Sequence, residues 1–118
     1  MPKDNHHLAA PLPDELFTEA YDVIHDIRDN GADKKRRERL HGLIMKLTET
    51  GVDFFFMEPL RRMGAGPMMR KMASMGISSM VKGTKMVINN VLKKADAEHI
   101  EGILVFIEEI LFEPEPES

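Results

Sequence analysis

The sequence predicts an all-α fold, a small bundle of four to five helices. Three observations lead there. Apolar residues recur three to four apart through the long segments between residues 14 and 112. Helix-starting and helix-ending residues separate those segments: Pro13-Asp14, Asn30-Gly31, Asp33, Gly64-Ala65-Gly66-Pro67, Ala95-Asp96 and Pro114. Apolar content of 42% against charged content of 31% is a globular balance rather than a disordered one. A length of 118 residues suits one domain, placed at residues 13–112.

The first helix is expected over 14–30. Asp14 is the expected cap and Asn30-Gly31 the stop. Leu16, Phe17, Ala20, Val23, Ile24 and Ile27 share one face, while Asp22, His25, Asp26 and Asp29 point away from it. Residues 1–12, with Pro2 and Pro11, read as a flexible N-terminal arm. His6 and His7 lie in that arm as solvated side chains.

Asp33 caps the second helix, over 33–50 or extended to 57. Leu40, Leu43, Ile44 and Leu47 form its stripe. Lys34, Lys35, Arg36, Arg37 and Arg39 crowd its first turns, where the helix dipole disfavours cations. Something negative must compensate: Asp29, Asp33, the acidic tail or an external anion. Phe54-Phe55-Phe56-Met57 is apolar all round, which predicts burial on more than one side; left exposed, it would be an interaction patch. Pro59 disfavours helix at Glu58 and predicts a new start, with a short turn over 59–63.

The most unusual stretch is 59–94. It has eight Lys or Arg and no Asp or Glu, and it holds seven of the ten methionines. Pro67 suits a first helical position. Met68, Met69, Met72 and Met75 fall on one face, and Ile77, Met80, Val81, Thr84, Ile88, Val91 and Leu92 on another. The two stripes do not line up, which predicts two helices, 67–75 and 77–94, with a break near Gly76.

The last helix is expected over 96–112, capped by Asp96 and ended by Pro114. Ile100, Ile103, Leu104, Ile107, Ile110 and Leu111 form a dense stripe, with Val105 and Phe106 beside it. Such a helix is central in the bundle or pairs with a second subunit. Residues 113–118 read as a disordered acidic tail.

Charge is segregated along the chain. The net charge is −4, yet residues 34–94 carry fourteen basic and four acidic side chains. The rest carries two basic and sixteen acidic. The acidic ends are expected to fold against the basic middle, and otherwise the middle faces an anionic partner. The chain has no cysteine, which excludes disulfides, thiolate metal sites and cysteine nucleophiles. No apolar run approaches the ~20 residues of a membrane span, and the expected location is cytoplasmic.

No catalytic constellation is visible: no phosphate loop in a strand–helix setting, no serine elbow, no triad spacing. Asp22-x-x-His25, Glu38-x-x-His41 and Asp96-x-x-His99 repeat the acid-x-x-His spacing of di-metal helical bundles. Their positions lie off the apolar faces, so a carboxylate/His metal bundle ranks third. The leading expectation is a non-enzymatic adaptor or regulatory protein without cofactor. It would dock a partner helix or peptide, a second copy of itself among the candidates, on an apolar surface that methionine makes adaptable. Met63, Met68, Met69, Met72, Met75 and Met80 would make the contact, with Phe54, Phe55 and Phe56 beside them. Arg61, Arg62, Arg70 and Lys71 would steer an acidic partner. The alternative is an electrostatic binder of nucleic acid or anionic membrane through the basic central region.

Overall fold

The computed structural model describes residues 9–111. Both chain ends, including His6, His7 and the acidic tail, lie outside the described residues. All regular structure in the described chain is helical. α1 spans Asp14–Asn30 and α2 spans Lys34–Val52. A π-helical turn, Asp53–Met57, leads into α3, Glu58–Arg62. α4 spans Pro67–Lys94 and α5 spans Ala97–Ile110.

α1 begins differently from expectation. Pro13 takes the capping position and no side chain caps the helix; Asp14 and Glu15 lie in the first turn, where the dipole favours acids. Gly31, at φ 91°, ends it, with its N–H donating to the Ile27 carbonyl at 2.8 Å. Asp33 caps α2 as expected, its Oδ1 accepting from the Arg36 N–H at 2.8 Å.

α2 does not stop at Pro59, and the expected new start and turn over 59–63 are corrected. A proline lacks an N–H and its ring crowds the carbonyl four residues back. The chain widens by one residue just before it: the Glu58 N–H donates to the Asp53 carbonyl, five residues back. The helical path thus passes Pro59 and ends at Arg62. Gly64, at φ 72°, follows; its N–H donates to the Arg61 carbonyl and that of Ala65 to Leu60. That pair of bonds needs a left-handed residue, which glycine supplies.

The break near Gly76 is also corrected: α4 is one continuous helix of 28 residues. The two misaligned stripes belong to two sides of one rod. Ala73, Ile77, Val81, Thr84, Ile88 and Leu92 face inward and are half-buried or buried. The methionines face out. A lone glycine costs a helix about 1 kcal/mol without interrupting its hydrogen bonds, and packing against α2 is enough to carry α4 through Gly76.

The core joins α1, the first half of α2, the end of α4 and α5. Ala20, Ile24, Leu40, Leu43, Ile100 and Leu104 are its most enclosed members, with Leu92 from α4. Acidic α1 meets basic α2, as the charge segregation predicts: Arg36 and Arg39 pair with Asp26 at 3.1 and 2.7 Å, and Lys46 with Glu19 at 2.7 Å. The acids that offset the cations at the start of α2 are therefore Asp26 and Asp33. Arg37 closes the bundle differently, donating to the carbonyls of Ala32, Leu92 and Ala95. On the other side Arg28 of α1 pairs with Glu101 and Glu108 of α5 at 2.8 and 2.6 Å.

Candidate docking surface

Beyond residue 48, α2, the π turn, α3 and the first half of α4 contribute nothing to the core cluster. They form a helical hairpin that leaves the core and turns at 63–66. Its two arms touch each other, and Val52 and Phe54 on one and Ala73 and Ile77 on the other are half-buried. Two arms alone cannot cover their own apolar side chains, so much of that surface faces water.

The expected contact residues are found there. Met63, Met68, Met69, Met72 and Met75 are 57–78% exposed, and Met80 is 49% exposed. Met86, Val87 and Val91 continue the same outer side of α4. Ser79 lies among them, but its hydroxyl donates to the Met75 carbonyl at 3.3 Å and adds little polarity. Phe55 and Phe56 are exposed and Phe54 is half-buried, its ring edge-on to Phe55 at 5.2 Å. The expected burial of Phe54–Met57 on several sides is thus corrected: no residue of the π turn is fully buried. Met45 is the contrast, buried at 6% exposure.

The four expected steering cations divide into two kinds. Arg61 pairs with Asp53 and Glu58, both at 2.9 Å, and Arg62 with Glu58 at 3.2 Å. These two guanidiniums hold the Glu58 carboxyl below its ordinary range, Arg61 first. Arg70 and Lys71 form no ion pair among the described residues, nor do Lys82, Lys85, Lys93 and Lys94. The positive charge on α4 is therefore uncompensated there, while that on α2 is largely engaged.

A second apolar feature was not anticipated. A groove of about 300 Å³ lies between α2 and α5, floored by Ile44, Leu47 and Thr48 and walled by Ile103, Phe106, Ile107 and Ile110. Phe106 stands at its rim, 56% exposed, with Val105 beside it at 40%. The sequence signal for it was present, since α5 carries more apolar residues than one stripe can bury. A more polar cleft between α1 and α2 is lined by Glu15, Glu19, Glu49, Asp53 and Lys46.

The acid-x-x-His pairs are placed as follows. Asp22 and His25 are exposed on α1. His41 Nε2–H donates to the Lys85 carbonyl at 3.2 Å, since a carbonyl can only accept; this assigns the proton to Nε2. Asp96 caps α5, accepting from the His99 N–H at 2.9 Å. The structure does not bring the three pairs together. Among the described residues no three His, Asp or Glu side chains are grouped to hold a metal ion. No helix among them is long and apolar enough to cross a membrane.

Comparison with protein-family models, with curated proteins and with solved structures finds no match, and the reading of this surface rests on its own chemistry.

Proposed function

We propose that the protein is a non-enzymatic helical interaction module, an adaptor or regulator. Its docking element is the outer side of α4, extended at the hairpin tip by Met63 and Phe56. The ligand that suits it is an amphipathic helix with an apolar stripe and acidic flanks.

One observation carries the reading: α4 turns six methionines outward from a segment that contains no acidic residue. Covering a Met side chain removes apolar area worth about 1.5–3 kcal/mol when burial is complete, so two-thirds exposed methionines hold about 1–2 kcal/mol each in reserve. Methionine is unbranched and polarizable, so its packing can adjust to the facing side chains. Arg70, Lys71, Lys82 and Lys85 give the surface its sign and would accelerate encounter with an acidic helix. A cytoplasmic location, expected from the sequence, is part of the same proposal.

The alternative, electrostatic binding of nucleic acid or anionic membrane, draws its support from the unpaired α4 lysines. It loses part of its support at the start of α2, where the three arginines Arg36, Arg37 and Arg39 are spent on Asp26, Asp33 and backbone carbonyls, which leaves Lys34 and Lys35. Binding of a labelled acidic amphipathic peptide, followed by fluorescence anisotropy across salt concentrations, separates the two. Docking on methionines predicts modest salt dependence and loss of binding in Met69→Asp/Met72→Asp. Binding that survives this variant and collapses steeply with salt favours the electrostatic alternative.

A further inference from the structure

The chain itself contains a helix with the chemistry that α4 calls for. α5 carries Glu98, Glu101, Glu108 and Glu109 and no Lys or Arg. Its inner edge, Ile100, Leu104 and Ile107, is buried, while Val105 and Phe106 are exposed on the outside. Phe106 also opens onto the apolar groove above Ile44 and Leu47. α4 exposes six Met and two Val on its outer side and is opposite in charge. Within one chain these two surfaces do not satisfy each other: Glu101 and Glu108 pair with Arg28 of α1, and the α4 lysines meet no carboxylate among the described residues.

Resting on the docking reading above, we propose that the partner is a second copy of this chain. The outer side of α4 on one protomer covers the outer side of α5 and the adjoining groove on the other, and a two-fold axis repeats the contact. Charge selects this crossed pairing. α4 against α4 would oppose two acid-free helices, and α5 against α5 would oppose two helices without Lys or Arg. Only α4 against α5 joins opposite signs.

Shape agrees. Gly76 and Gly83 lie on the outward side of α4 and Gly102 on that of α5, and a Cβ at any of them would meet nothing within 4 Å. The backbones can therefore approach closely at the centre of the contact. Met72, Met75 and Met86 flank that centre and are flexible enough to enter the groove beside Phe106. At ~1.5 Å per residue α5 is about half the length of α4, so the hairpin tip is left over. An anionic lipid surface would match the lysines but would gain nothing from the central glycines and would leave the acidic, apolar side of α5 uncovered.

Sedimentation velocity of the full chain, from low micromolar to hundreds of micromolar, tests the proposal. The expected species at the upper end has twice the 13.4 kDa mass of the chain. Met72→Glu and Phe106→Glu, both at exposed positions, should each give a monomer with unchanged helicity by circular dichroism. An equimolar mixture of these two variants should recover a dimer, because one wild-type α4–α5 contact is restored only in the mixed pair. A dimer that survives Phe106→Glu, or variants that do not complement, overturns the crossed pairing. A wild-type monomer at every concentration overturns the second copy as partner, whether or not the chain co-sediments with phosphatidylglycerol vesicles. The acidic-peptide titration above then decides separately whether α4 docks anything.

Discussion

The Arg37 guanidinium donates to the Ala95 carbonyl at 2.6 Å, and the same nitrogen donates to the Leu92 carbonyl at 2.7 Å. A cation at the start of α2 thereby satisfies the unpaired carbonyls at the end of α4. Two ends that the dipole makes unfavourable and favourable for positive charge are joined by one side chain. This contact fixes the base of α4 against the core, and the rest of the helix extends from it with one side uncovered. Replacing Arg37 by Met keeps the stem and deletes the donors. The expected cost is about 1.5–3 kcal/mol, as for a hydrogen bond made by a charged group, measured by urea denaturation. A change below about 0.5 kcal/mol, the range of an ordinary surface substitution, would contradict this role.

The core and the docking face should respond oppositely to truncation. Leu104 is fully buried, and Leu104→Ala should cost about 2–5 kcal/mol. Met72 is 68% exposed, and Met72→Ala should stay within about 0.5 kcal/mol. Thermal or denaturant unfolding of both variants checks the contrast. A large loss at Met72 at dilutions where the chain is monomeric would mean that the face is already covered within the chain.

Much of the fold was legible because helix ends and apolar stripes are local signals. The Asp33 and Asp96 caps, the Gly31 stop and the stripe Leu40–Leu43–Ile44–Leu47 follow from neighbours within four residues. The failures were of another kind. At Gly76, two stripes on one helix look the same as a bend until the neighbouring helix is known. At Pro59, a widened turn absorbed a residue that usually ends a helix. Asp26 was read as pointing away from the core, which is true, yet it meets Arg36 and Arg39 across the α1–α2 edge. Composition suggests burial of Phe55 and Phe56, but it does not say whether a neighbouring helix exists to cover them. The same gap hid the groove between α2 and α5, which only the crossing of distant segments creates.

Continuity of α4 gives a direct test at Gly76. Its backbone is helical and a methyl group would meet nothing within 4 Å. Gly76→Ala should therefore stabilise the chain by about 0.5–1 kcal/mol. Loss of stability at dilutions where the chain is monomeric would restore the hinge that the sequence alone suggests.

Stability should also fall in acid, with a sign set by Arg28. Its guanidinium holds the Glu108 carboxyl below the ordinary value of 4.5. A carboxyl depressed in the folded state contributes stability that is complete above its ordinary value and is lost as pH falls through the lower, folded value. Arg28→Gln should flatten that acid limb and leave the profile near neutrality lower by about 1 kcal/mol, since the pair is partly exposed. An acid limb unchanged in Arg28→Gln would assign it to other carboxylates.

Peroxide offers a chemical probe of the same surface. It converts an exposed thioether to a polar sulfoxide. Met68, Met69, Met72, Met75 and Met86 should oxidise before Met45, as peptide mass mapping would report. Helicity should persist while binding of the acidic peptide is lost. Early oxidation of Met45 would contradict the arrangement of inner and outer methionines.

Whether the outer side of α4 docks a helix is read most plainly by methyl NMR of ¹³C-methionine-labelled protein. On titration with an acidic amphipathic helical peptide, the resonances of Met68, Met69, Met72, Met75 and Met86 should shift together and saturate while buried Met45 stays in place. Resonances that never move, or a Met45 signal that moves with the rest, would contradict it.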